Sequence, residues 1–166
     1  MSLIRWPDKY RPGVTDAHIV NSLTARVPAP RVWAWLIHPP LWPSYYPNAS
    51  DITLLDGAGP ALALGTRFTW KTFGDAVEAV VEELVPGERV SWRAWSETMD
   101  VYHAWLIEPR GDDTYLLTEE SQIGAPARAM AGQTPNPMYT FHQLWLENLA
   151  AKAQAGWPDL GDGTPP

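Results

Sequence analysis

An α+β domain is predicted: a curved, antiparallel seven-stranded sheet wrapped around one long C-terminal helix, with two short helices after the first strand. Three observations predict it. Between residues 50 and 124 the chain passes through strand-length segments of alternating apolar and polar residues, separated by turn signals. The connections between those segments are too short for parallel crossovers, so sequence neighbours become antiparallel neighbours. The last patterned stretch is helical instead. Met138, His142, Trp145, Leu149 and Ala153 recur at i+3 and i+4, with Gln143, Glu147 and Gln154 on the opposite side. Its ends are marked too: Asn136 suits an N-cap, Pro137 the first helical position and Gly156 the residue beyond the last turn.

Residues 1–15 read as an irregular arm, in which Pro7, Pro12 and Gly13 break regular structure while Trp6 and Tyr10 pin the segment to the body. A domain over residues 16–156 follows. Asp16–Val27 carries Ile19, Val20, Leu23 and Val27 and forms the first strand. Ala29 to Ile37 has Pro30 near its start and Val32, Trp33, Leu36 and Ile37 at helical spacing, and Pro39 and Pro40 stop it. Leu41–Tyr46 supplies the second short helical turn. Ser50–Leu55 runs into the turn Asp56-Gly57-Ala58-Gly59-Pro60. Thr66–Phe73 alternates Phe68, Trp70 and Thr72 against Arg67, Thr69 and Lys71. Gly74-Asp75 connects it to Ala76–Val85, where Val77, Ala79 and Val81 oppose Glu78 and Glu82. Pro86-Gly87 turns into Arg89–Ser96, with Val90, Trp92 and Ala94 on one face. Asp100–Ile107 and Thr114–Ile123 are joined by the connection Pro109-Arg110-Gly111-Asp112-Asp113. Arg93 and Asp100 read as solvated strand ends. Gly124–Pro135 is a loop with one helical turn around Arg128–Ala131, and residues 157–166 form a frayed tail.

Composition bounds the function. At 166 residues, 45% of them hydrophobic and with 10 Trp, the chain buries a substantial core in one domain. A net charge of −7 leaves no basic footprint for nucleic acid and no attraction to an anionic membrane. No stretch reaches membrane-spanning length, and residues 1–14 have no apolar signal core, so a cytoplasmic protein is expected. With no cysteine there is neither disulfide nor thiolate chemistry. The four histidines, at 18, 38, 103 and 142, are scattered singly and make no metal constellation in sequence. The phosphate, dinucleotide, nucleophile-elbow and HExxH motifs are missing. No metal and no cofactor is therefore expected, and a monomer or homodimer is.

The order strand, two short helices, six-strand meander, long helix resembles the START-like (SRPBCC) superfamily, the helix-grip fold. That superfamily includes the polyketide cyclase/dehydrase group, lipid-transfer START domains and the birch-pollen allergen class. The resemblance rests on Val27-Pro28-Ala29-Pro30-Arg31-Val32-Trp33 with Leu36, on Trp42-Pro43 and on Gly65-Thr66-Arg67-Phe68. It rests also on Pro86-Gly87-Glu88-Arg89-Val90-Ser91-Trp92, Gly111–Thr118 and the Phe141–Leu149 helix, and covers roughly residues 16–155. It implies a cavity between sheet and helix that the superfamily uses for many ligands.

The strand and helix patterns then nominate a ligand-binding lining. Phe68, Trp70, Val81, Trp92, His103, Trp105 and Leu117 come from the sheet, and Met138, Phe141, His142 and Trp145 from the last helix. Any one of these tryptophans is more simply ordinary core, but the set together favours a pocket. His103 shares a strand face with Trp105 and Ile107, which favours it over Tyr102 for the interior. Glu119 accompanies Tyr115 and Leu117, whereas Glu120 accompanies Leu116 and Thr118; the inward choice is Glu119. His103, Glu119 and His142 are the candidate catalytic proton carriers.

Three readings follow. The first is a binding protein for a hydrophobic small molecule of lipid, polyketide or aromatic type. The second, implied by the resemblance, is a cyclase or dehydratase using pocket acid/base residues. The third is a protein-interaction module of the chaperone-activator type, with Trp6, Trp42 and Trp95 as exposed contact points.

Overall fold

The computed structural model describes residues 4–161 of the 166. Its strands are β1 (Ala17–Ala25), β2 (Ser50–Leu54), β3 (Arg67–Thr72), β4 (Asp75–Val85), β5 (Arg89–Trp95), β6 (Asp100–Arg110) and β7 (Asp113–Ile123). They make a single antiparallel sheet in the order β1-β7-β6-β5-β4-β3-β2. The helices are α1 (Ala29–Leu36), α2 (Ala125–Ala131) and α3 (Pro137–Ala155), with 3-10 turns at Asp8–Tyr10 and Pro39–Ser44. The expected α+β architecture is therefore the observed one. The last two residues of the expected first strand, Arg26 and Val27, form a bend instead. The loop expected at Gly124–Pro135 holds a seven-residue helix, whose sequence of alanines gives no amphipathic signature.

α3 forms for local reasons. The Asn136 side chain accepts hydrogen bonds from the backbone N–H of Met138 and Tyr139, satisfying two donors that the first turn leaves free, and Pro137 has no N–H to satisfy. Its buried stripe is Met138, His142, Trp145, Leu146, Leu149, Ala150 and Ala153. The sheet supplies Phe68, Trp70, Ala79, Val81, Val90, Trp92, Ala94, Trp105, Ile107 and Leu116 to the facing side. Phe68 and Trp70 are buried while Arg67 and Lys71 are exposed, which sets the register of β3.

Between α1 and the sheet sits Trp42, fully buried. Its ring meets those of Phe68, Trp70, Trp92 and Trp145 at 5.1–5.8 Å, and its indole N–H donates to the Leu36 carbonyl at 2.8 Å. This corrects the expectation of an exposed contact point. The short helical turn expected here forms as a 3-10 turn over Pro39–Ser44, and it folds the indole inward rather than out to solvent.

The outer face of the sheet is covered as well. Ile4, Tyr10, Tyr102, Ala104, Leu106 and Leu117 form a second apolar cluster beneath the N-terminal arm. Tyr10 stacks on Tyr102 and its hydroxyl donates to Asp100 Oδ1 at 2.7 Å. Lys9 and Arg93 pair with the same carboxylate, so Arg93 and Asp100 are not free strand ends but the arm's anchor. Of the expected tail, residues 162–166 lie outside the described residues, as do residues 1–3 of the arm. Among the described residues no helix is long and apolar enough to cross a membrane.

Candidate functional site

A chamber of about 80 Å³ opens between the sheet and the first turns of α3. Trp70, Val77, Trp92, Ala94 and Val101 come from the sheet, Met138, His142 and Trp145 from α3, and Pro126 and Met130 from α2. Phe73, Asp75, Ser96, Met99 and Met130 frame its mouth, and all are partly or fully exposed. Three of the four methionines in the chain, Met99, Met130 and Met138, line it. Methionine is the side chain that adapts most readily to an irregular or variable surface.

α2 is held over the chamber by a constrained junction. Gly124 has φ 136°, and a Cβ there would lie 2.2 Å from the Thr98 carbonyl oxygen. Only glycine fits so close an approach. Its N–H donates to Asp16 Oδ2 at 2.7 Å.

The inner wall carries three polar groups in an otherwise apolar setting. His103 on β6, Glu120 on β7 and His142 on α3 are each buried, and one ligand-type atom from each lies within 4.8 Å of the others. His103 Nδ1 is 3.0 Å from Glu120 Oε2, and His142 Nε2 is 3.7 Å from the same oxygen. The two imidazoles stack with centroids 4.7 Å apart. His103 Nε2 meets Thr118 Oγ1 at 2.7 Å, and Gln122 Nε2 donates to Glu120 Oε1 at 2.6 Å. His142 Nδ1 has no partner.

Burial sets the charge states. It pushes the Glu120 carboxyl up to about 7, against the opposing pull of the Gln122 hydrogen bond. It holds His142 down at about 3 and His103 well below the usual imidazole value, with nearby His142 adding to the effect on His103.

The structure divides the nominated residues. Trp70, Trp92, His103, Met138, His142 and Trp145 line the chamber. Phe68, Val81 and Trp105 are buried in the solid part of the core, and Phe141 packs edge-on against Phe73. Leu117 and Glu119 are on the wrong side of the sheet. Leu117 packs under the arm, and Glu119 Oε2 lies 3.1 Å from His18 Nε2. The inward carboxylate is Glu120, which corrects the choice of Glu119. The reason is the hairpin. A five-residue connection centred on Gly111 would pair His103 with Glu119. The chain instead turns in two residues, Gly111-Asp112, and pairs His103 with Glu120. Directly opposed residues share a face, so His103 and Glu120 go inward together. Apolar alternation could not reveal this, because both faces of β7 are covered. The cluster also revises the view of the histidines as solitary, since two of the four meet in space.

Known proteins share this architecture. Hypothetical protein jhp0584 from Helicobacter pylori is 39% identical, covering 92% of this chain and 97% of its own, with a TM-score of 0.88. TTHA0849 from Thermus thermophilus is 14% identical over 84% of this chain and 98% of its own, with a TM-score of 0.66. The di-domain ARO/CYC StfQ from the steffimycin biosynthetic pathway is 12% identical over 84% of this chain and 52% of its own, with a TM-score of 0.64. At such identities the last two likenesses speak for the fold alone. No curated protein matches the sequence. The fold is the START-like helix grip, as the resemblance implied. The family described as polyketide cyclase/dehydrase and lipid transport matches residues 16–154, nearly the whole domain, and the chain belongs to that family.

Proposed function

We propose that the protein binds a small apolar molecule in the chamber beneath α2, with the molecule's polar end against His103, Glu120 and His142. The observation that carries the reading is the chamber itself, apolar along its walls and polar at one buried spot, the usual chemistry of a ligand pocket. Two further features support it. Trp70 and Trp92, whose indole N–H groups are buried without an acceptor, are both in its wall. The methionine-rich rim suits entry and adjustment. Size narrows the class. About 80 Å³ is far below the roughly 300–1,000 Å³ of pockets for drug-sized ligands. A single flat ring system, or the end of a longer chain threaded through the mouth, matches the space.

The test is titration with an apolar fluorescent probe, read by quenching of tryptophan emission. Saturable one-to-one binding is expected. Ala94→Leu, which fills the chamber from its wall, should abolish it while leaving circular dichroism unchanged. No saturable binding by probes of single-ring size would contradict the reading.

Acid–base catalysis on the bound molecule, such as aldol cyclisation or dehydration, is the second reading. One observation favours it: the 3.0 Å His103–Glu120 contact lies at the chamber wall. If it holds, Glu120→Gln lowers turnover by about two to four orders of magnitude. The interaction-module reading loses support, because Trp42 is buried and Trp6 is packed against His18 and Tyr102.

A further inference from the structure

We propose that His103, Glu120 and His142 form a mononuclear site for a divalent transition-metal ion of the zinc and ferrous-iron class, with its open positions facing the chamber. Two neutral imidazoles and one carboxylate are the donor set that such ions take when they keep positions free. The three donors come from three elements, β6, β7 and α3, so the fold and not local sequence assembles them.

Geometry is the first argument. Around an ion bound at about 2.1 Å, tetrahedral donors lie about 3.4 Å apart. The two contacts with Glu120 Oε2, at 3.0 and 3.7 Å, bracket that spacing. Each residue offers a donor atom within 4.8 Å of the others, and the two stacked imidazoles close the set by tilting their ring planes toward a common ion.

The outer contacts are the second. A ligating imidazole normally uses its far nitrogen in a hydrogen bond that fixes tautomer and ring orientation, and a ligating carboxylate is itself hydrogen-bonded. His103 Nε2 meets Thr118 Oγ1 and Glu120 Oε1 is held by Gln122, so Nδ1 and Oε2, now 3.0 Å from each other, are the atoms that would turn to the ion. Thr118 and Gln122 are fully buried, and their side chains point at the two ligands.

The third argument is what the protein leaves unsatisfied. His142 is 2% exposed; its Nδ1 has no partner, and its Nε2 stands beyond hydrogen-bond reach of Glu120. Leaving a buried imidazole without hydrogen bonds is unfavourable. Among the described residues, no Lys or Arg lines the chamber to balance the carboxylate. A divalent cation would balance that carboxylate and give His142 Nε2 a partner, taking over the Oε2 that His103 Nδ1 now meets. With one carboxylate among its ligands, the ion keeps a net positive charge and favours hydroxide or an anionic oxygen in an open position. That last step rests on the ligand-binding reading above; the metal site does not.

The experiment uses the full chain without an affinity tag, stripped with a chelator, and titrated with Co²⁺ alone. One ion per chain is expected, with visible d–d absorption and displacement by Zn²⁺. X-ray absorption of the zinc form should show two imidazoles and an oxygen donor in the first shell. Glu120→Gln and His142→Leu should each remove the cobalt bands. Thr118→Val should weaken binding about 10- to 100-fold. His18→Ala, on the outer face, should change nothing. Absence of a one-to-one complex with either ion overturns the proposal, as does binding that survives both ligand variants. The absorption measurement on the wild-type chain decides the matter even if a variant fails to fold, since a first shell without two imidazoles also overturns it. Probe binding by the metal-free protein is read separately, so failure of the ion leaves the chamber reading standing, and failure of the probe leaves the ion.

Discussion

Along α3 the two ends of one groove have been filled differently. Over the C-terminal half, Leu146, Leu149 and Ala153 meet α1 and the core around Trp42, Phe68, Trp92 and Trp105, and the interior is solid. Over the first turns, Met138 and His142 face α2 and the β3–β4 and β5–β6 turns, and a chamber remains. Sheet and helix are common to both ends, so the difference lies in the third element. At the solid end, the turn Pro39–Ser44 inserts a whole indole. At the hollow end, α2 turns Pro126 and Met130 to the chamber without filling it, while its buried Ala127 packs on Ala17 and Ile19 of β1. A grip of this kind is closed or opened by what the connecting segments bring to it.

That contrast can be broken most forcefully at Trp42. Trp42→Ala should cost about 3–5 kcal/mol in urea unfolding, the range for deleting a buried indole. Whatever fold survives should still bind the probe, because Trp42 does not line the chamber. Loss of binding with retained stability would reverse the assignment of the two ends.

A smaller effect is expected at the hollow end's cover. Gly124→Ala forces a Cβ toward the Thr98 carbonyl at a backbone conformation side chains avoid, at a cost of about 1–3 kcal/mol. Its signature is regional. Hydrogen exchange should quicken in α2 and probe affinity should change, while α1 and Leu146–Ala153 keep their protection. Uniform loosening would show that α2 and the solid end are one cooperative unit.

The smallest effect comes from the outer face. Burial alone would raise the Asp100 pKa, but hydrogen bonds from Lys9, Tyr10 and Arg93 outweigh it and hold the carboxyl below its ordinary value. The sign follows. A depressed carboxylate contributes stability above its unfolded pKa, and that contribution is lost as pH falls through the lower folded value. Arm docking should therefore weaken only in acid, below the usual carboxylate range. Asp100→Asn should cost about 1 kcal/mol or less, as partly exposed pairs do, and remove that acid sensitivity. Probe affinity should stay unchanged. A shift in affinity would mean the arm is coupled to the chamber through β6.

Much of the fold is legible in the residues alone. The alternation in β3 and β5, the Asn136-Pro137 start of α3 and its apolar stripe place most elements within a few residues, because each signal is local. The inward orientation of His103 also follows from its strand neighbours. That of Glu120 does not, since β7 is covered on both faces and its orientation depends on a turn tighter than Pro109–Asp113 suggests. The full extent of α2 is hidden by its alanines, which pattern neither helix nor loop. The size of the chamber is not legible either, since it depends on how far the side chains of the connecting segments reach into the groove.

The most direct measurement follows the methionine methyl resonances during titration with a single-ring apolar probe. Met99, Met130 and Met138 are natural reporters of the hollow end, and the methyls of Leu146 and Leu149 report the solid one. Saturable shifts at the three methionines, with the two leucines unmoved, are the predicted result. Shifts at Leu146 and Leu149 instead, or a titration that moves none of these methyls, would contradict the assignment of the ligand site to the chamber beneath α2.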